Sequence, residues 1–294
     1  MIPTPRWFRL TLLGFLALPS AARPEPARAP GEEAAALAFT ATSRVGFDDP
    51  ENPELSGRVS LQESALSAPL AHAGFEGLTL AAGVVAGWTR LEFRGHPDLD
   101  TEDLYGLAAV LAAARPAESG WGWSALAMPG FYSDFISGRT GEGKVFLYGT
   151  ADYAFSPAWR AQLGLAFDTA FGDPAVYPVG GAVWQATDTL AVRLLLPSPS
   201  VYWAPSDRWG LFAFARPAGD RWIVDDDQSG EQEFLIEAWR AGLGAECRLW
   251  SDFWLRLAAG LEFDRHYEAL DGGQTLLDDS VDDASFLSVA LVLY

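Results

Sequence analysis

Few residues in this chain have the types and spacing that chemistry requires. Cys247 is the single cysteine, which excludes an intramolecular disulfide and a cysteine-based structural zinc site. A lone buried thiol acts as a small apolar residue. The three histidines, His72, His96 and His266, have no metal-ligand spacing among them. His266 shares strand parity with Glu262 and Asp264, and Ser285 or Ser288 lies on the next strand, so a Ser–His–Asp set is conceivable there. No motif fixes a nucleophile, and no enzyme activity is assigned. Carboxylates cluster at Asp98, Asp100, Glu102 and Asp103, at Asp225, Asp226 and Asp227, and at Asp278, Asp279, Asp282 and Asp283. Such oxygen ligands suit calcium, but no EF-hand or repeat pattern completes a ligand set, and a solvated loop surface is the plainer reading. No cofactor and no metal is assigned.

A second set of polar residues recurs at alternate positions: Arg90, Glu92, Arg160, Gln162, Asp168, Arg193, Arg256, Glu262 and Asp264. Successive side chains leave opposite faces of a strand, so these residues call for strands with one polar face. In 159–169, Trp159, Ala161, Leu163, Leu165 and Phe167 share a face opposite Arg160, Gln162, Gly164, Ala166 and Asp168. In 252–265, Phe253, Leu255, Leu257, Ala259, Leu261 and Phe263 oppose Trp254, Arg256, Gly260, Glu262 and Asp264. Many such segments exceed ten residues, whereas strands of soluble sheets average about five or six. In lipid every backbone N–H and C=O must be paired internally, so a sheet can span only as a closed barrel, apolar outside and polar inside. The expected fold is all-β, a transmembrane antiparallel up-and-down β-barrel, and the nine polar residues are its candidate lumen lining.

Strands are expected at about 36–46, 57–70, 77–94, 104–114, 120–132, 143–156, 159–171, 178–187, 188–204, 208–217, 220–226, 233–249, 252–267 and 285–294, fourteen in all, with twelve the alternative. The Ala/Leu-rich 104–114 has helical composition, but Pro116 and its strand-like neighbours favour a strand. Pro197-Ser198-Pro199 cannot donate to a ladder and marks a kink, bulge or turn. Short turns at 156–158, 187–188, 217–219 and 251 alternate with longer acidic loops at 95–103, 133–142, 226–233 and 268–284. Trp159, Trp209 and Trp250 lie beside proposed turns, as an interfacial aromatic belt requires.

The composition fits the same picture. Of 294 residues, 49% are hydrophobic, and 39 acidic residues face 20 basic ones for a net charge of -19. The apolar fraction excludes general disorder, and the acidic excess argues against nucleic acid as a partner. Residues 1–22 have a basic start at Arg6 and Arg9, an apolar run from Leu10 to Leu18 and a small-residue Ser20-Ala21-Ala22, the pattern of a secretory signal peptide. Cleavage is expected after Ala22 or Ala29, with 23–35 a flexible leader and 36–294 the barrel. Removal of 1–22 leaves 18 basic residues against 39, or -21. No later stretch is long and apolar enough for a membrane helix.

The segments PGFYSDF (129–135), YPVGGAVW (177–184), LAVRLLLPSPSVYW (190–203) and AGLEFDRH (259–266) together resemble an uncharacterised, porin-like family of bacterial outer-membrane β-barrels. That resemblance covers most of the chain after about residue 40 and implies a Gram-negative outer-membrane location. It lends no catalytic residues. A terminal aromatic, Tyr294, is similar to the C-terminal signal read by the barrel assembly machinery, so outer-membrane lipid and that machinery are the expected partners. Two functional classes stay open: a channel or transporter for small solutes, with an acidic interior favouring cations, and a non-conducting structural or ligand-binding barrel. A barrel of about fourteen strands is wider than the eight that side chains just fill, which favours a pore or cavity.

Overall fold

The computed structural model describes residues 34–47, 56–117, 120–134, 142–169, 175–226 and 230–294. The expected signal peptide, nearly all of the leader, and parts of the loops at 133–142 and 226–233 lie outside them. The described chain is built from β1 (Ala35–Thr42), β2 (Val45–Phe47), β3 (Gly57–Phe75), β4 (Leu78–Arg94), β5 (Thr101–Arg115), β6 (Gly120–Ser133), β7 (Glu142–Ser156), β8 (Trp159–Asp168), β9 (Ala175–Thr187), β10 (Leu190–Leu196), β11 (Ser200–Ser206), β12 (Trp209–Ala218), β13 (Arg221–Asp226), β14 (Gly230–Trp250), β15 (Phe253–Asp271), β16 (Gln274–Val281) and β17 (Ala284–Leu293).

All neighbours pair antiparallel, in sequence order, within one sheet. The sheet closes because β1 pairs with β17, from Ala35 opposite Leu293 to Thr42 opposite Phe286. Both β1 and β2 pair with β3, both β12 and β13 with β14, and both β16 and β17 with β15. Each of those pairs of segments is one interrupted strand, so the seventeen segments form a closed barrel of fourteen spanning strands.

The expected number is met on partly different strands. Segment 188–204, expected as one strand, is the hairpin β10–β11, turned at Pro197-Ser198-Pro199, where Leu196–Pro197 is cis. Segments 208–217 and 220–226, expected as two, are the single strand β12–β13. It is broken at Gly219, whose φ is +113° and where a Cβ would lie 2.0 Å from the carbonyl oxygen of Ile236. Only glycine allows that close approach. The acidic segment 268–284, expected as a loop, is mostly strand: β15 runs to Asp271, turns at Gly272-Gly273 and returns as β16.

Side-chain alternation sets the two faces. Leu163 is 72% exposed and Leu243 70% exposed, and Leu37, Leu66, Leu111, Leu257, Leu287 and Leu291 are likewise exposed on the outer wall. The turns at 76–77, 157–158, 188–189, 207–208 and 251–252, both described termini and an aromatic belt share one end, while the turns at 197–199 and 272–273 lie at the other. Trp159 stacks on Trp184 at 5.3 Å, Trp121 meets Tyr153 at 5.0 Å, and Trp250 meets Phe253 at 4.9 Å. The expected belt residues Trp159, Trp209 and Trp250 are all exposed there. The longer connections, among them 95–100, lie at the other end, called the loop end below.

Candidate functional site: the barrel interior

The β14–β15 hairpin supplies five interior charges. Its register places Arg240 opposite Glu262 and Glu246 opposite Arg256, so all four face inward. Arg240 donates from Nη2 to Glu262 Oε2 (2.6 Å) and to Glu63 Oε2 on β3 (2.8 Å). Arg265 donates from Nε to Glu262 Oε1 (3.0 Å), from Nη2 to Tyr267 Oη (2.6 Å) and from Nη1 to the carbonyl of Asp282 (2.7 Å). Glu262 is 0% and Arg240 1% exposed. Burial of this kind requires charges to be paired and hydrogen-bonded.

A second cluster sits nearer the aromatic-belt end. Glu246 accepts from Tyr202 Oη (2.6 Å), Arg256 Nε (3.0 Å) and Tyr294 Oη (2.9 Å). A third link crosses the interior: Lys144 Nζ on β7 lies 3.8 Å from Asp220 Oδ1 between β12 and β13, and 4.6 Å over the Tyr132 ring. Four spanning strands separate Lys144 from Asp220 along the wall.

The remaining interior combines apolar clusters with buried polar side chains on β6–β8, among them Ser124, Thr150, Asp152 and Asp168. Across β5–β9 the wall is lined by a buried cluster that includes Val110, Leu126, Met128, Phe146, Tyr148 and Val179. At the loop end Phe47, Leu61, Phe93, Leu104, Trp222 and Phe234 belong to one buried cluster, with Tyr132 packed against it. The cluster draws on nine of the fourteen spanning strands, from β12–β13 round to β6, and gathers their apolar side chains at the loop end. His96, in the 95–100 connection, borders it, 7% exposed and 6.2 Å from Phe47. Its Nδ1 accepts from the Asp98 amide (3.2 Å). Burial pushes its pKa below the ordinary 6.5, opposed by the Asp98 charge and a backbone hydrogen bond at Leu276.

Of the nine candidate lining residues, the register turns Arg160, Gln162, Asp168, Arg193, Arg256 and Glu262 to the inner face. Arg90, Glu92 and Asp264 differ. On β4 the inward positions are Leu91 and Phe93, within the mouth cluster, and Arg90 and Glu92 face outward. β4 there runs past the apolar band, so its outer positions are wet and its inner ones oily. At Asp264 a β-bulge with φ +50° shifts the parity. Arg265 and Tyr267 therefore turn inward, while Asp264 and His266 turn out. His266 Nε2 pairs with Asp278 Oδ1 at 3.0 Å on the outside, whereas Ser288 accepts from Thr40 Oγ1 on the inner face. The imagined Ser288–His266 pair is not assembled. Among the described residues no three His, Cys, Asp or Glu side chains converge on a metal site.

Sequence reasoning missed Glu63, Lys144, Tyr202, Asp220, Arg240 and Glu246. Lys144 is the chain's single lysine and Arg240 a lone cation between apolar neighbours, which were the available signals. Of the interior carboxylates, Glu63, Glu246, Glu262 and Asp220 each meet a cationic partner.

Fold and interior thus define a closed antiparallel barrel with a paired ionic lattice and an apolar mouth. Compared with solved structures, the chain is similar to an outer-membrane channel from Pseudomonas putida F1 (10% identity, covering 93% of this chain and 100% of that one, TM-score 0.47). It is also similar to the Pseudomonas putida toluene transporter TodX (9% identity, 89% and 90%, TM-score 0.37) and to the translocator domain of the autotransporter NalP from Neisseria meningitidis (12% identity, 88% of each chain, TM-score 0.37). No family model matches the chain, and no curated protein matches it.

Proposed function

We propose that this is an exported outer-membrane barrel that passes small apolar or amphipathic solutes and is closed to ions in the conformation described. The observation that carries the reading is the interior: an apolar cluster on β5–β9, interleaved with Asp152 and Asp168, leads to the apolar cluster at the loop end, while every charge of the ionic lattice named above has a partner. Exposed Leu and Trp over the whole outer wall support the membrane location, since a water-soluble sheet would carry polar residues there. The test is uptake of radiolabelled benzene by cells with a lipopolysaccharide outer leaflet, with and without the protein. Faster uptake with the protein, and loss of that gain when Val110 and Met128 are both changed to Asp, supports the reading. Equal uptake with and without it overturns the reading. The second reading, a non-conducting structural or binding barrel, is favoured by one specific observation: the cross-barrel pairs Arg240–Glu63 and Lys144–Asp220 tie opposite walls together.

A further inference from the structure

The outward positions of β4 run Leu80, Ala82, Val84, Ala86, Trp88, Arg90, Glu92 and Arg94 towards the loop end. They pass from apolar through aromatic to charged. The neighbouring strands follow the same order, with Leu107, Tyr105 and Asp103 on β5, and Leu66 then Arg58 on β3. That is the sequence of layers from hydrocarbon through interface to headgroup.

At the charged level four guanidinium groups gather. Arg58 lies directly opposite Arg94 in the β3–β4 ladder, a like-charge pair that is destabilising unless an anion sits between its members. Arg44, Arg58 and Arg94 line one cleft of about 410 Å³ with Ser56, Gly57 and Gly95. Glu92 is shared by Arg44 Nη2 (2.8 Å) and Arg94 Nε (2.8 Å). Arg90 lies 3.8 Å from Asp103, which also accepts from Trp88 Nε1 at 3.0 Å. Asp282 lies beyond Gly46 at the edge of the patch. Among the described residues Arg58 has no carboxylate partner, and the Arg94 side chain is 61% exposed. Within a strongly acidic chain, a cationic surplus at this level is a local reversal of sign.

We propose that this cleft binds the phosphate of a phosphorylated lipid headgroup in the leaflet at the loop end. The inference rests on the membrane reading above. Planar guanidinium groups hold phosphate oxygens in paired hydrogen bonds, and a phosphate monoester, about -1.5 to -2 at neutral pH, is an anion that can sit between Arg58 and Arg94. Trp88 and Tyr105, one step below, contact the glycerol or sugar of the same lipid. The acyl chains continue along Leu66 and Leu107.

The test uses the full chain refolded into phosphatidylcholine vesicles containing a small share of diphosphoryl lipid A. Insertion is scored by flotation and heat-modifiable gel migration, and retained lipid A is counted by native mass spectrometry after detergent extraction. The barrel is expected to retain lipid A. Retention is expected to fall about tenfold or more in Arg58→Ser/Arg94→Ser, to vanish with dephosphorylated lipid A, and to persist against inorganic phosphate. Equal retention by the double variant, or by dephosphorylated lipid A, overturns the proposal. Displacement by inorganic phosphate alone assigns a free-phosphate site and overturns the lipid assignment. Neutralisation of the patch by Asp48, Asp49, Glu51 and Glu54 of the adjoining segment 48–55 leaves wild type and variant equal, which also overturns it. A chain that floats with no vesicle overturns the membrane reading as well; one that inserts everywhere yet retains no lipid A overturns this proposal alone.

Discussion

Arg240 on β14 reaches across the barrel to Glu63 on β3, Nη2 to Oε2 2.8 Å, although 177 residues separate them in sequence. Three spanning strands lie between them along the wall. Because the same guanidinium also holds Glu262, removing it leaves Glu63 without its cation and Glu262 with Arg265 alone. Arg240→Ala is therefore expected to destabilise the folded barrel by about 3–5 kcal/mol, the usual cost of orphaning a buried charge. Urea unfolding in lipid vesicles measures it. Replacing Arg240 with Met and Glu63 with Gln, which leaves Glu262 paired with Arg265, is expected to recover part of that loss.

Trp222 fills the mouth from β13, in the same buried cluster as Phe47, Leu61 and Phe93. Trp222→Ala is expected to turn an electrically silent barrel into one that shows discrete conductance steps in planar bilayers. The variant also loses about 3–5 kcal/mol of stability, as for other Trp deletions from packed interiors. Steps of equal size in wild type and variant mean that the apolar cluster is not the closure.

Leu163 is 72% exposed on the outer face of β8. If water bathed that face, Leu163→Lys would be neutral. Facing lipid, it is expected to cost about 2–4 kcal/mol at mid-membrane depth. Reversible unfolding in vesicles reads the difference.

His96 gives the fold a pH dependence. Its pKa is lowered by burial, so between the folded value and the unfolded value of 6.5 the unfolded chain binds the proton more readily. The stability it contributes is complete above that unfolded value and is lost as pH falls through the window below it. Thermal unfolding of wild type is expected to drop across that window more than that of His96→Gln. Parallel pH profiles for the two proteins contradict this.

Much of the fold was legible in the sequence, because period-two alternation is local. The outward set Trp159, Ala161, Leu163, Leu165 and Phe167, and the set from Phe253 to Phe263, are as the alternation requires. What escaped is non-local or depends on one residue. The bulge at Asp264 reverses the parity of everything after it in β15, and nothing in the residue type announces that. Gly219 joins β12 and β13 into one strand, and Pro197-Ser198-Pro199 divides another; the two effects cancel in the count. Arg90 and Glu92 were assigned inward by a rule valid only within the lipid band. The cross-barrel partners Glu63 and Asp220 depend on the closed sheet, which no local window contains.

The central claim is that the outer wall faces lipid. The most direct measurement is a nitroxide scan of positions 257, 258, 259 and 261 on β15 in vesicles, with Cys247 first replaced by Ser. The register turns Leu257, Ala259 and Leu261 out, and Ala258 and Gly260 in. Labels at 257, 259 and 261 are expected to relax strongly with oxygen and weakly with a water-soluble nickel chelate, and the label at 258 weakly with oxygen. Ready access of the nickel chelate to 257, 259 and 261 would contradict the account, because it would place that face in water.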